Sequence, residues 1–249
     1  MKILICISNV PDTTTKIKFV NNNTAFDNAG VQWIINPWDE LALTRALDIK
    51  DAQPGTIDNI TVVNVGLADT EPTIRKALAI GADGAIRVNA EPKDTFFVAS
   101  QIAEIVRKDA FDIVICGIES SDYNGAALGG MLSEMLGMPS VSAVSNLEIT
   151  NGAVELKREI DGGQETVLTQ LPFIAVIQKG IAKDPRIPSM RGIMSAKGKP
   201  LQVVEPTAVD SLTEFIGFEL PKPKAACRKI DAENVKELVD LLHNEAKLI

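Results

Sequence analysis

The run Ile113-Val114-Ile115-Cys116-Gly117-Ile118-Glu119-Ser120-Ser121-Asp122 changes character at Gly117. A β-branched stretch gives way to hydroxyls and carboxylates, then to Tyr123 and the amide of Asn124, and finally to Gly125-Ala126-Ala127-Leu128-Gly129. A strand that breaks into small and polar residues before a helix leaves unpaired backbone N–H groups at the helix start. Those groups take a phosphate. Cys6-Ile7-Ser8-Asn9 and Val63-Asn64-Val65-Gly66 have the same texture, and Asn36-Pro37-Trp38-Asp39 offers a fourth wall with Trp38 as an aromatic surface. In open parallel sheets ligands bind at the carboxyl ends of the strands, so these segments together imply a nucleotide-type crevice. Ser, Asp and Asn after a strand are equally ordinary caps and turn formers, and the residues alone leave both readings open.

Several chemistries are disfavoured. His243 is the only histidine and lies on a polar C-terminal stretch. Cys6, Cys116 and Cys227 are far apart, and the first two lie in apolar runs that suit buried, reduced thiols. A zinc site and a Ser-His or Cys-His pair therefore lack the residues they need. Neither Gly-x-x-x-x-Gly-Lys-Ser/Thr nor a Gly-x-Gly-x-x-Gly after the first strand occurs, which argues against a P-loop phosphotransferase and an ordinary dinucleotide-dependent dehydrogenase. Asp39-Glu40 needs only the helix dipole to explain it. A net charge of −8 disfavours nucleic acid as the main partner. No apolar run reaches bilayer length, so direct membrane insertion is not expected, and MKILICIS reads as a first strand. A cytoplasmic location fits reduced cysteines.

The elements that must position these residues follow from periodicity. KILICIS, ITVVNVG, GAIRV and FDIVICG read as strands. Helices are expected from Asn36-Pro37 to about Lys50, over TEPTIRKALAIG capped by Asp69 or Thr70 and stopped by Gly81, over DTFFVASQIAEIVRK capped by Asp94 or Thr95, and over GAALGGMLSEMLG. A short edge strand is expected near Lys16–Val20. Alternating strand and helix with strands this apolar means a mostly parallel sheet covered on both faces: a three-layer, Rossmann-like α/β fold. From Pro139 to Gln178 the pattern alternates, with hairpin signals at Asn151-Gly152 and Gly162-Gly163, so antiparallel strands finish the sheet. LQVVEP reads as one more strand. The expected division is an α/β nucleotide-binding domain over 1–204 and a C-terminal arm and helix over 205–249 that packs on a partner.

Residues 184–199, DPRIPSMRGIMSAKGK, set Arg186, Arg191, Lys197 and Lys199 against a single acid and add Ile187, Met190, Ile193 and Met194. The segment is too apolar for a plain solvated loop, and its prolines and glycines break it too often for a helix or strand. Methionine is an adaptable contact residue, so partner docking is the reading. The four cations would steer encounter with acidic rims.

KILICISNVPD, INPWDELALTRAL, TIRKALAIGADGAIRV, GIESSDYNGAALGGMLSEMLGMP, REIDGGQETV and PRIPSMRGIMSAKGKP come in an order that resembles the β subunit of electron-transfer flavoproteins over nearly the whole chain. The resemblance implies an electron carrier without catalytic residues of its own, paired with a larger α subunit that holds the redox-active FAD. It implies electrons received from acyl-CoA dehydrogenases of fatty acid β-oxidation and related flavoenzymes, and passed to a membrane quinone reductase. It also implies a structural AMP contacted by Cys6, Asn36, Pro37, Trp38, Asp39, Val65, Gly117, Ile118, Glu119, Ser120, Ser121, Asp122, Tyr123, Asn124, Gly125, Ala126, Ala127 and Leu128. In electron-bifurcating relatives a second FAD takes that place. Met190 falls where the family's docking loop carries a leucine, with Arg186, Ile187, Arg191, Ile193 and Met194 around it. Ile118, Glu119 and Ser120 depart from the family's basic residue, Gln and Ala, and a carboxylate at Glu119 would repel a phosphate unless it turns away. An adenine-nucleotide-dependent enzyme and a stand-alone nucleotide-binding protein remain as alternatives from other classes.

Overall fold

In the computed structural model, which describes residues 1–150, 152–224 and 226–249, the apolar runs become the middle of one sheet. In chain order the elements are β1 (Lys2–Cys6), β2 (Asn9–Pro11), β3 (Phe19–Val20), β4 (Ala25–Phe26), β5 (Trp33–Ile35), α1 (Pro37–Ala52) and β6 (Asn59–Val65). Then come α2 (Glu71–Ile80), β7 (Gly84–Val88), α3 (Thr95–Lys108), β8 (Ile113–Gly117), α4 (Leu128–Leu136) and β9 (Ser140–Thr150). The last are β10 (Ala153–Ile160), β11 (Gly163–Thr169), β12 (Phe173–Ile177), α5 (Met190–Ala196), β13 (Leu201–Val204) and α6 (Val235–Asn244).

The main sheet has nine strands in the order β11-β10-β9-β12-β8-β1-β6-β7-β13. Every pairing from β9 to β13 is parallel, while β9-β10 and β10-β11 are antiparallel. Alternation along β1 sorts the two faces. Ile3 and Ile5 join a core with α1 and α2, while Leu4 and Cys6 join one with α3 and α4. That makes three layers, as the unbroken apolar runs require.

Several local expectations are corrected. FIAVI does not belong with the antiparallel finish: β12 lies between β8 and β9, parallel to both and buried along its length. The two antiparallel strands are confined to β10, whose residues alternate between buried and exposed over its first half, and β11, which is exposed along most of its length. Thr150 pairs with Ala153 across the expected turn. Gly152 there has φ +82°, and Asn151 lies outside the described residues. The Lys16–Val20 strand shrinks to β3, which pairs with β4 in a separate hairpin and not with the main sheet. Thr70 precedes α2, but neither it nor Asp69 caps it by side chain; the Thr70 hydroxyl donates instead to the Leu67 carbonyl at 2.8 Å. Gly81 does stop α2, at φ +155°. Asp94 caps α3 through the Phe97 N–H at 2.7 Å.

Two corrections touch function. α4 starts at Leu128, three residues after Gly125, because Asn124 and Ala126 hold φ of +50° and +47°. Left-handed residues cannot enter a right-handed helix. The 184–199 segment does contain a helix: Ser189 accepts the Gly192 N–H at 3.1 Å and opens the two turns of α5.

Candidate functional site: a clamped crevice at the strand-order reversal

The sheet reverses its order at β1: β6 and β7 lie to one side and β8 to the other. Loops leaving the carboxyl ends of β1 and β8 part in opposite directions there and open a crevice. The start of α1 crosses it. Asp39 is buried, and its two oxygens accept the Ser8 N–H, beyond β1, and the Gly117 N–H, at the end of β8, each at 2.9 Å. Asn36 does the same one turn earlier. Its Nδ2 donates to the Glu119 carbonyl at 2.8 Å, its Oδ1 accepts the Ser121 N–H at 3.1 Å, and its backbone N–H donates to the Ser8 carbonyl at 3.0 Å. The Asn36 side chain therefore makes no cap bond to α1; it ties the crevice walls together.

Packing leaves this clamp no slack. A Cβ on Gly117 would overlap Asp39 Oδ1 and lie 2.6 Å from Trp38 Cβ. Only glycine lets α1 sit this close to the end of β8. Burial pushes the Asp39 carboxyl up to about 7, against the pull of the hydrogen bonds it accepts. Burial also raises the Cys116 thiol to about 12 and the Cys6 thiol well above its ordinary value, with Asp39 adding to both. Two neutral, buried thiols have no nucleophilic role here.

The residues named by sequence thus divide. Cys6, Asn36, Asp39, Val65 and Gly117 are buried. Pro37, Trp38, Ile118, Glu119, Ser120, Ala127 and Leu128 are half-buried, and Ser121, Asp122, Tyr123, Asn124, Gly125 and Ala126 form an exposed loop. No Lys or Arg occurs between 118 and 128, so an anion here would rely on backbone N–H groups. The start of α4 suits that: it has no side-chain cap and no acid in its first turn. Backbone donors without a nearby cation suit an anion of low charge, which the 120–130 loop and the start of α4 would hold. Gly129 is spoken for, since a Cβ there would overlap Val176 of β12, whereas Gly130 faces open space.

The 184–199 segment lies elsewhere, against α1 and α2. Arg186 donates through Nε to Asp48 at 2.9 Å and through a terminal nitrogen to Asp51 at 2.7 Å. Lys199 donates to the carbonyls of Leu78 and Ala82 at 2.9 and 2.6 Å, and Arg75 donates to those of Ala196 and Lys199 at 2.8 and 2.9 Å. The expectation of four steering cations is corrected: Arg186 and Lys199 are anchors, and only Arg191 and Lys197 project as exposed charges. Between the anchors Ile187, Met190 and Met194 are 89%, 75% and 74% exposed, with Ile193 at 45%.

Two residues the sequence did name, Ser8 and Asp94, have tertiary roles it did not reveal. Ser8 meets the clamp with both its backbone N–H and its carbonyl. Asp94 caps α3 and also accepts the N–H groups of Leu212 and Thr213 at 2.7 and 2.9 Å. Local pattern marked Asp94 as a cap and Ser8 as part of a strand end, but not the distant groups each of them meets.

The family model "Electron transfer flavoprotein domain" matches residues 24–209. The chain is 33% identical to the electron transfer flavoprotein subunit beta of Bacillus subtilis across the whole of both chains. It is 35% identical to the protein of that name from Syntrophomonas wolfei, over 94% of this chain and 91% of that one. The Bradyrhizobium diazoefficiens protein of that name is 30% identical over the full length of both.

Proposed function

The chain belongs to the electron transfer flavoprotein subunit beta family, and from that membership we propose that it is the smaller subunit of a two-chain electron carrier. Its partner would be a larger α subunit holding the redox-active FAD, a group that supplies one-electron chemistry when bound. This chain would contribute the structural nucleotide crevice and the docking surface. Acyl-CoA dehydrogenases and related flavoenzymes are the proposed donors, and a membrane quinone reductase the proposed acceptor. AMP is the proposed ligand of the crevice.

The observation that carries this reading is the end-to-end match to relatives of that one name. Two features support it. The crevice offers a low-charge donor set. The α5 segment presents Ile187, Met190 and Met194 to solvent while anchored on both sides, so its apolar side chains are pre-organised for a partner. No group of three or more His, Cys, Asp or Glu among the described residues could hold a metal. No helix among them is long and apolar enough to cross a membrane.

The test is co-expression with the α subunit, purification of the complex, denaturing release and identification of the nucleotides. One AMP and one FAD per heterodimer is the expected result. Two FAD and no AMP would replace the AMP assignment with a second flavin. ATP turnover by the purified chain would refute the carrier reading as a full account.

A further inference from the structure

The segment after β13 packs on its own sheet before it leaves it. Gln101 on α3 pairs reciprocally with the backbone of Thr207, its Oε1 accepting the Thr207 N–H at 2.7 Å and its Nε2 donating to the Thr207 carbonyl at 3.0 Å. Asp94 then takes the N–H groups of Leu212 and Thr213. At the far end the Phe218 N–H donates to the Asn23 carbonyl in the β3-β4 turn at 2.8 Å. Between these attachments lies a series of aromatic rings. Phe19 of the hairpin stacks on Phe218 at 4.9 Å, Phe218 on Phe215 at 5.8 Å, and Phe215 meets Tyr123 at 4.7 Å. Tyr123 is in the exposed loop that follows β8.

Residues 207–218 thus run from the middle of α3, past its start at Asp94, to the β3-β4 hairpin, and touch the crevice loop on the way. Asn36 holds the base of this loop at Ser121, and the Asn124 N–H donates back to the Ser120 carbonyl at 2.9 Å. Loop residues 121–126 are exposed, and Asn124 and Ala126 are in the left-handed region. A non-glycine residue keeps that conformation only where its surroundings impose it. The Tyr123–Phe215 contact is the one aromatic contact from the loop to the strap among the described residues.

We infer that residues 207–218 are a strap over the nucleotide crevice, and that Phe215 and Tyr123 are positioning residues that set how long a bound nucleotide stays. The inference rests on the nucleotide reading above. It adds that the first half of the C-terminal arm works for its own domain's ligand, before the chain continues toward a partner.

The experiment uses the heterodimer loaded with isotope-labelled AMP, chased with excess unlabelled AMP. Phe215→Ala should speed release by about tenfold, the scale of one lost aromatic pair. Phe215→Tyr should restore slow release. Tyr123→Ala should match Phe215→Ala, and the double variant should be no faster than either, because both remove one contact. Thermal midpoints are measured alongside: a change in release without a matching loss of stability separates positioning from general loosening. Wild-type release rates in Phe215→Ala and Tyr123→Ala would overturn the strap and leave the nucleotide reading standing. A wild-type heterodimer that retains no labelled AMP would overturn both.

Discussion

Asp39 is the residue on which the crevice turns. Its carboxylate is buried among neutral groups: Cys6, Ser8, Cys116, Gly117 and its own helix neighbours Asn36 and Trp38. Its folded value near 7 is above the unfolded 3.8, so the folded chain holds a proton that the unfolded chain has released between those values. The resulting stability is fully present below about pH 4 and is lost as pH rises through 7. The isolated chain should therefore resist urea better at pH 5.5 than at pH 8, by an amount on the order of a few kcal/mol. Asp39→Asn should flatten that difference; an unchanged pH profile in the variant would assign it to another group. Asp12, Asp58 and Asp94 do not interfere. Hydrogen bonds to Asp12 and Asp58 hold their carboxyls below the ordinary value, and Asp94 is lowered by three N–H donors although partial desolvation opposes them. All three act below this window. Gly117→Ala should cost about 1–3 kcal/mol at any pH by forcing α1 off the end of β8, read from the urea midpoint. Gly130→Glu should leave that midpoint unchanged, since its side chain meets open space, yet lower the AMP released from the heterodimer by placing a negative charge in the first turn of α4.

At the scale of elements, α5 shows how an irregular segment becomes a rigid projection. A Cβ on Gly192 would overlap the Ala79 carbonyl of α2, so the helix sits backbone-to-backbone on its neighbour. Arg186 and Lys199 tie off the two ends. This division of labour makes two tests distinct. Met190→Ala should weaken electron transfer from a donor dehydrogenase in steady-state assays, and leave heterodimer assembly and FAD content unchanged. Gly192→Ala should shift the whole element and impair donor recognition even with Met190 intact; full donor activity would mean that the seat of α5 is immaterial to docking. The composition of 184–199 raised the expectation of a contact segment. It did not reveal the helix, because Ser189 as a cap and the Gly192 approach to Ala79 depend on where α2 lies. The late start of α4 is similar. GAALGG has helix-compatible residues, and only the course of the loop over the crevice puts Ala126 in a left-handed conformation.

At the scale of the molecule, the nine-stranded sheet is self-sufficient and the last thirty residues are not. α6 buries none of its residues, and Leu220, Val235, Leu238 and Val239 are between 43% and 62% exposed. Apolar side chains left in water along an arm and a helix face need a partner to cover them. Truncation after residue 218 should therefore leave the thermal midpoint of the isolated chain nearly unchanged while abolishing co-purification with the α subunit; retained assembly would place the interface elsewhere. The sequence by itself determined the three layers, the parallel core, the positions of most strands and helices, and the segments that meet at the crevice, because these follow from local periodicity and from runs too apolar to face water. Tertiary structure alone decided that β12 is central, that Asn36 and Asp39 clamp the crevice walls through backbone groups, that two of the four cations in 184–199 are anchors, and that the arm doubles back over the crevice loop. Each of these joins residues tens of positions apart or more, and no short-range pattern encodes which distant backbone group will meet a given side chain.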